Sequence, residues 1–173
     1  KVKSKLKDRI VKKKITENEY SRKGKASSVN LAEDYDIIKA EEYFYKALFA
    51  YQQFSDSVSN NEIHQYRFDN FTKCIVLDNK NAEAYFGRAE EYEYMGDHKN
   101  AMYDFNKAIR INPNYAEAYN QRGHLKQKIG DFAGGCEDYK KACQIEVNSN
   151  AKYTNGCTWY ENAGYYYPEQ TCD

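Results

Sequence analysis

Two prolines and nine glycines are few for 173 residues, which argues against a chain of many short strands and tight turns. Apolar runs are short as well. None approaches the roughly 20 residues a membrane-spanning helix needs, so no transmembrane segment is expected. Net charge is lacking: 26 Lys+Arg stand against 26 Asp+Glu, so the chain as a whole is no polyanion binder. Catalytic signatures are lacking too, with no Gly-rich phosphate loop, no G-x-S-x-G and no H-E-x-x-H. His64, His98 and His124 fall in different segments and show no metal spacing. The run Glu90, Glu91 and Glu93 reads as ordinary helix-surface charge. A non-enzyme without cofactor or metal is the expectation.

What the chain does have is aromatic and asymmetric. Eighteen Tyr, eight Phe and one Trp lie within a hydrophobic content of 41%, enough for a core. The zero net charge conceals a division. Residues 1–30 hold eleven Lys/Arg against three Asp/Glu, which leaves fifteen against twenty-three in the other 143. A basic arm precedes an acidic body. The first residue is Lys1 rather than Met, which reads as a processed chain whose signal peptide has been removed.

The body repeats. Ala82-Glu83-Ala84-Tyr85 returns 34 residues later as Ala116-Glu117-Ala118-Tyr119. The same shift carries Arg88 onto Arg122, Gly96-Asp97 onto Gly130-Asp131, Asp104-Phe105 onto Asp138-Tyr139 and Lys107-Ala108 onto Lys141-Ala142. Upstream, Phe71, Lys73, Ile75 and Leu77 form a partial earlier copy. Each unit has two helical stretches. Tyr85, Phe86, Ala89 and Tyr92 share one face of the first, and Ala101, Phe105, Ala108 and Ile109 line the second. Gly96 stops the first helix, Asp97 caps the next, and Pro113 follows its end.

These residues resemble the tetratricopeptide repeat family: 34-residue units, an early aromatic, Gly-Asp at the turn, and Ala-x-x-x-Phe/Tyr-x-x-Ala in the second helix. The resemblance covers roughly residues 40–147 and implies an all-α fold, a short α-solenoid of about three helix pairs. Arg88 and Arg122 stand where the commonest pattern has Leu, as in many bacterial repeats, and each is expected to pair with Asp104 or Asp138 of its own unit. Co-chaperone members that clamp a C-terminal carboxylate need an Asn where this chain has Gly87, so that function is not expected.

The expected organisation is a basic extension over 1–30, repeats over 31–147 (about 31–80, 81–114 and 115–147), and an irregular Cys/Tyr-rich cap over 148–173. The first helix is expected from about Leu31 to Phe54, opened by Asn30 with Glu33 three residues on, a capping box. A long loop follows, and the next helix starts near Asn61 or Glu62.

Cys74 takes the small-residue position of Ala108 and Ala142, so it should be a buried apolar side chain. Cys136 and Cys143 lie seven apart on one helix face. A rise of about 10.5 Å keeps them from bridging each other. Bridges to Cys157 and Cys172, in either order, would hold the tail over the end of the array, and a bridge between 157 and 172 is the competing choice. Four reduced thiols in a cytoplasmic protein is the alternative to an oxidising compartment. The stretch from Gly130 to Cys143 is similar to terminal repeats of exported bacterial cell-envelope proteins, which implies a periplasmic or envelope-associated scaffold within a larger assembly.

Function then falls to surface recognition. Stacked helix pairs curve and leave first-helix side chains on the concave side. Tyr45, Lys46, Phe49, Phe86, Glu90, Tyr94, Asn120, Gln121, His124 and Lys128 are the expected contacts for a protein or peptide segment. Tyr45, Phe49 and Phe86 would otherwise pack under neighbouring helices. The arm offers a second reading, a tether in which residues 1–16 form an amphipathic helix for anionic membrane. Few arginines, little aromatic content and an acidic body argue against nucleic acid as the partner.

Overall fold

A computed structural model describes residues 31–54 and 58–149. The basic arm, Asn30 and the cap with Cys157 and Cys172 lie outside the described residues. Seven helices and no strand occur among those described. They are α1 (Leu31–Leu48), α2 (Ala50–Gln53), α3 (Asn60–Leu77), α4 (Ala82–Tyr94), α5 (His98–Ile111), α6 (Ala116–Lys128) and α7 (Phe132–Asn148). The pairs α1/α3, α4/α5 and α6/α7 each form a hairpin, and α3 packs on α4 as α5 does on α6. The result is a stacked array of helix pairs.

Local chemistry sets each boundary. Gly96 and Gly130 take positive φ of 77° and 92°, a conformation that closes a helix without a Cβ penalty. Asp97 and Asp131 then accept from the Asn100 and Gly134 backbone N–H groups at 3.1 and 3.0 Å. Asn81 caps α4 in the same way through Ala84 N–H. At the start of α3 the Ser59 hydroxyl accepts from Glu62 N–H while the Glu62 carboxylate accepts from Ser59 N–H, a reciprocal box. The first helix departs from expectation. It ends at Leu48, and Phe49 (φ −99°, ψ 14°) separates it from the single turn of α2.

The core follows the repeat. Ala84, Ala89, Ala101, Ala108, Ala118 and Ala142 are fully buried and let helices approach, while Phe71, Phe105 and Tyr139 fill the space between them. Gly87 allows the closest approach. A Cβ there would lie 2.7 Å from Phe71 Cε1 and Cε2, and nearer still to Cζ. Cys74 is free and buried, and burial first, with Asp78 and Glu41 after it, pushes its thiol up to about 12.

Two ion pairs recur at the 34-residue interval. Arg88 grips Asp104 through Nε and Nη2 at 2.7 and 3.0 Å. Arg122 grips Asp138 likewise at 2.8 and 2.5 Å, and also donates to Asn106. Both aspartates are buried, so each fork replaces the water a carboxylate would otherwise hold. In the first unit the equivalent of Asp104 is Asn70, which donates to the Tyr66 carbonyl instead.

Candidate partner-binding groove

The first helices of the second and third pairs, α4 and α6, each bury one side. Tyr85, Ala89, Ala118 and Leu125 are in the core. The other side stays open at Tyr94, His124 and Lys128, with Glu90 and Gln121 half-buried between them. Cross-helix ion pairs tie the two together: Glu93 of α4 meets His124 Nδ1 at 3.5 Å and Lys128 Nζ at 3.6 Å of α6. Those two side chains hold the Glu93 carboxyl below its usual range, with the His124 hydrogen bond the largest cause. His124 keeps 52% of its side chain in solvent.

Phe86 departs from its expected role as an open contact. It is 7% exposed, packed 5.8 Å from Phe105 and 5.1 Å from Tyr115 between ring centroids. Its periodic position faces the hairpin core as well as the groove, and the aromatic ring goes where more apolar area is removed from water. Asn120 is buried too, with an Oδ1 that has no partner among the described residues.

The first pair contributes differently. Tyr45 and Phe49 stack on each other at 6.1 Å and 9°. Lys46 bonds Glu42 at 2.7 Å and lies over the Tyr43 ring, which Lys73 of α3 also covers. Lys46 therefore belongs to the seam between α1 and α3 and is not brought to the stretch between α4 and α6.

The seam between α3 and α4 holds residues that the sequence reading missed. Glu91 is 1% exposed and is no surface charge: its carboxylate accepts from His64 Nδ1 at 2.6 Å and from Arg67 Nε. With that proton on Nδ1, Nε2 accepts from the Tyr51 hydroxyl at 2.7 Å. The Tyr94 ring stacks on His64, and its hydroxyl donates to Asn61. One signal was available. A shift of 34 places Glu91 under Leu125, an apolar core position in the next unit. His98 stands one repeat after His64, and its Nδ1 is buried without a partner among the described residues.

Charge is uneven in the groove. Glu90 is 39% exposed and reaches Arg67 at 3.7 Å. Burial first pushes its carboxyl up to about 7; Arg67 opposes the rise, and Glu117, Glu91 and Glu93 add to it. Among the described residues no group of three His, Cys, Asp or Glu side chains is placed to hold a metal ion. No described helix is long and apolar enough to cross a membrane.

Comparison with known proteins places this architecture. Residues 82–115 and 105–137 match two models described as the tetratricopeptide repeat, so the chain carries such repeats. No curated protein matches it. Among solved structures, the crystal structure of MamA protein is 24% identical at a TM-score of 0.53, covering 66% of this chain and 58% of that one. This chain thus spans little more than half the length of that relative. The Arabidopsis OM64 TPR domain is 19% identical at a TM-score of 0.61, with 74% and 96% covered. The first TPR of Spaghetti (RPAP3), bound to the HSP90 peptide SRMEEVD, is 19% identical at 0.62, with 76% and 95% covered. These likenesses concern the fold.

Proposed function

We propose that the protein is a non-catalytic interaction scaffold that holds an extended segment of a partner protein along the open sides of α4 and α6. One observation carries the reading: the helix faces bearing Glu90, Tyr94, Gln121, His124 and Lys128 remain accessible, while the opposite faces are closed by the neighbouring helices. Aromatic, amide and charged tips on a rigid wall suit a peptide backbone and its side chains. The peptide bound to the first TPR of RPAP3 supports this by analogy of fold.

The same reading makes the protein an accessory subunit of an exported or cell-envelope assembly, such as a secretion or outer-membrane complex. Disulfide bonding of Cys136 and Cys143 would fit an oxidising compartment. Bridges from these two sulfurs to Cys157 and Cys172 would keep the tail on the end of the array, and a non-reducing mass map tests that pairing.

The test of function is an array of random dodecapeptides probed with the intact protein. Saturable binding to a subset is expected, with the double substitution Gln121→Ala and His124→Ala weakening it about tenfold at unchanged Tm. No bound peptide, or equal binding by the variant, would remove the groove as the recognition surface.

A further inference from the structure

Acceptors outnumber donors where α4 faces α6. Burial first, then Glu117, Glu83 and Glu90, raise the proton affinity of the Tyr115 phenol at the start of α6. The local cations are engaged elsewhere. Arg67 bonds Glu91 and reaches Glu90 only at 3.7 Å, while His124 and Lys128 serve Glu93. No cation among the described residues pairs with Glu83 or Glu117, both of which are exposed. A second observation is independent of charge. Asn120 is 9% exposed, and its buried Oδ1 has no donor among the described residues. It lies one helical turn after Glu117 and one before His124 on the same face of α6. A buried acceptor left unpaired is costly unless something brings it a proton donor. The half-buried Tyr115 ring, packed on Phe86 at 5.1 Å, supplies a π-face that these carboxylates act on.

We infer that this part of the groove receives an arginine side chain of the bound partner segment, its guanidinium shared among Glu90, Glu117 and the Asn120 carbonyl. A guanidinium brings five donors in a planar fork and lies well against aromatic rings, which matches a site made of acceptors and a π-face. Among the described residues no three His, Cys, Asp or Glu side chains are placed here to hold a metal ion. The inference rests on the scaffold reading above and specifies the chemistry of the segment.

The test uses the intact protein and two fluorescein-labelled peptides, Gly-Ser-Tyr-Arg-Ser-Tyr-Arg-Gly and the same sequence with citrulline for arginine, read by fluorescence anisotropy. Citrulline keeps the shape and removes the charge. The arginine peptide is expected to bind at least about tenfold more tightly, with the difference shrinking as salt screens the site. The double substitution Glu90→Gln and Glu117→Gln should bring both peptides to the same affinity without lowering Tm. Equal binding of the two peptides to the unaltered protein, or a preference that survives the double substitution, overturns the inference. If dodecapeptides bind the array while the two probes tie, the arginine site alone falls; if nothing binds, the scaffold reading falls with it. A full-length variant with Lys12→Gln, Lys13→Gln and Lys14→Gln that bound the arginine peptide tenfold more tightly would assign the site to the protein's own basic arm, and so overturn a partner as occupant.

Discussion

His64 Nδ1 and Glu91 Oε2 stand 2.6 Å apart across the seam that joins the first helix pair to the second. Arg67 completes the set on the other carboxylate oxygen. Removing one member of a buried charged group strands the others, whereas replacing the whole group by apolar side chains can be neutral. Glu91→Leu is therefore expected to lower unfolding stability by about 3 kcal/mol in urea titration. Adding Arg67→Met and His64→Phe should recover most of that loss. A triple variant no more stable than the single one would show that the seam depends on its polar geometry.

The recurring Arg–Asp forks differ in their reserves. Asp104 relies on Arg88, while Asp138 also has Lys126 Nζ at 2.9 Å. Arg88→Ala is expected to cost about 3 kcal/mol, and Arg122→Ala clearly less, because Lys126 stays within reach of its carboxylate. Chemical denaturation of the two variants checks the order. Equal losses would mean that Lys126 does not compensate.

These forks were legible in the sequence because a repeat supplies its own alignment: Arg88 and Asp104 recur together at Arg122 and Asp138, and one arrangement explains both. Glu91 was not legible from its neighbours, since a carboxylate on a helix looks the same in sequence whether it is solvated or buried. Its position under Leu125 distinguishes it only once the register is trusted more than polarity. The break at Phe49 lay beyond reach for a related reason: the first unit has no clean copy to align with. Asn120 and Phe86 fell on the groove face by periodicity, yet an array buries part of that face against the next pair, which periodicity does not encode.

Gly87 is a packing glycine. Its backbone is helical, so alanine would suit α4 locally, but the new Cβ would meet the fully buried Phe71 ring. Gly87→Ala is expected to destabilise by about 1–3 kcal/mol through overpacking. Phe71→Leu in the same chain should partly relieve it. Thermal unfolding of the pair decides the point, and an additive double variant would exclude the steric cause.

Glu90 should leave a mark on the pH dependence of stability. Its carboxyl is raised in the folded state from an ordinary 4.5 to about 7, so the folded protein holds this proton more tightly than the unfolded chain does. The stabilisation is full below about pH 4.5 and is lost as pH rises through about 7. With 39% of the side chain exposed, water screens the effect and keeps it modest. Glu90→Gln should flatten the fall in Tm between pH 5 and pH 7.5 relative to the unaltered protein, and an unchanged slope would refute this.

Phe86 and His124 should separate stability from recognition. Phe86→Ala empties a site among Phe105 and Tyr115 and is expected to cost about 3–5 kcal/mol. His124→Ala touches an exposed ring and should leave the midpoint within about 0.5 kcal/mol. Urea titrations of both measure the contrast, and similar losses would place His124 in the fold's support.

The joint between α3 and α4 closes on a buried carboxylate, whereas the corresponding joint between α5 and α6 places the apolar Leu125 there and carries the Arg122–Asn106 bond beside it. A hydrogen bond weakens steeply when its angle is bent, while methyl and methylene groups slide with little preference for direction. The first junction thus has its mutual angle fixed from inside, by bonds that water does not reach. An incoming segment would meet the first two helix pairs at a set mutual angle.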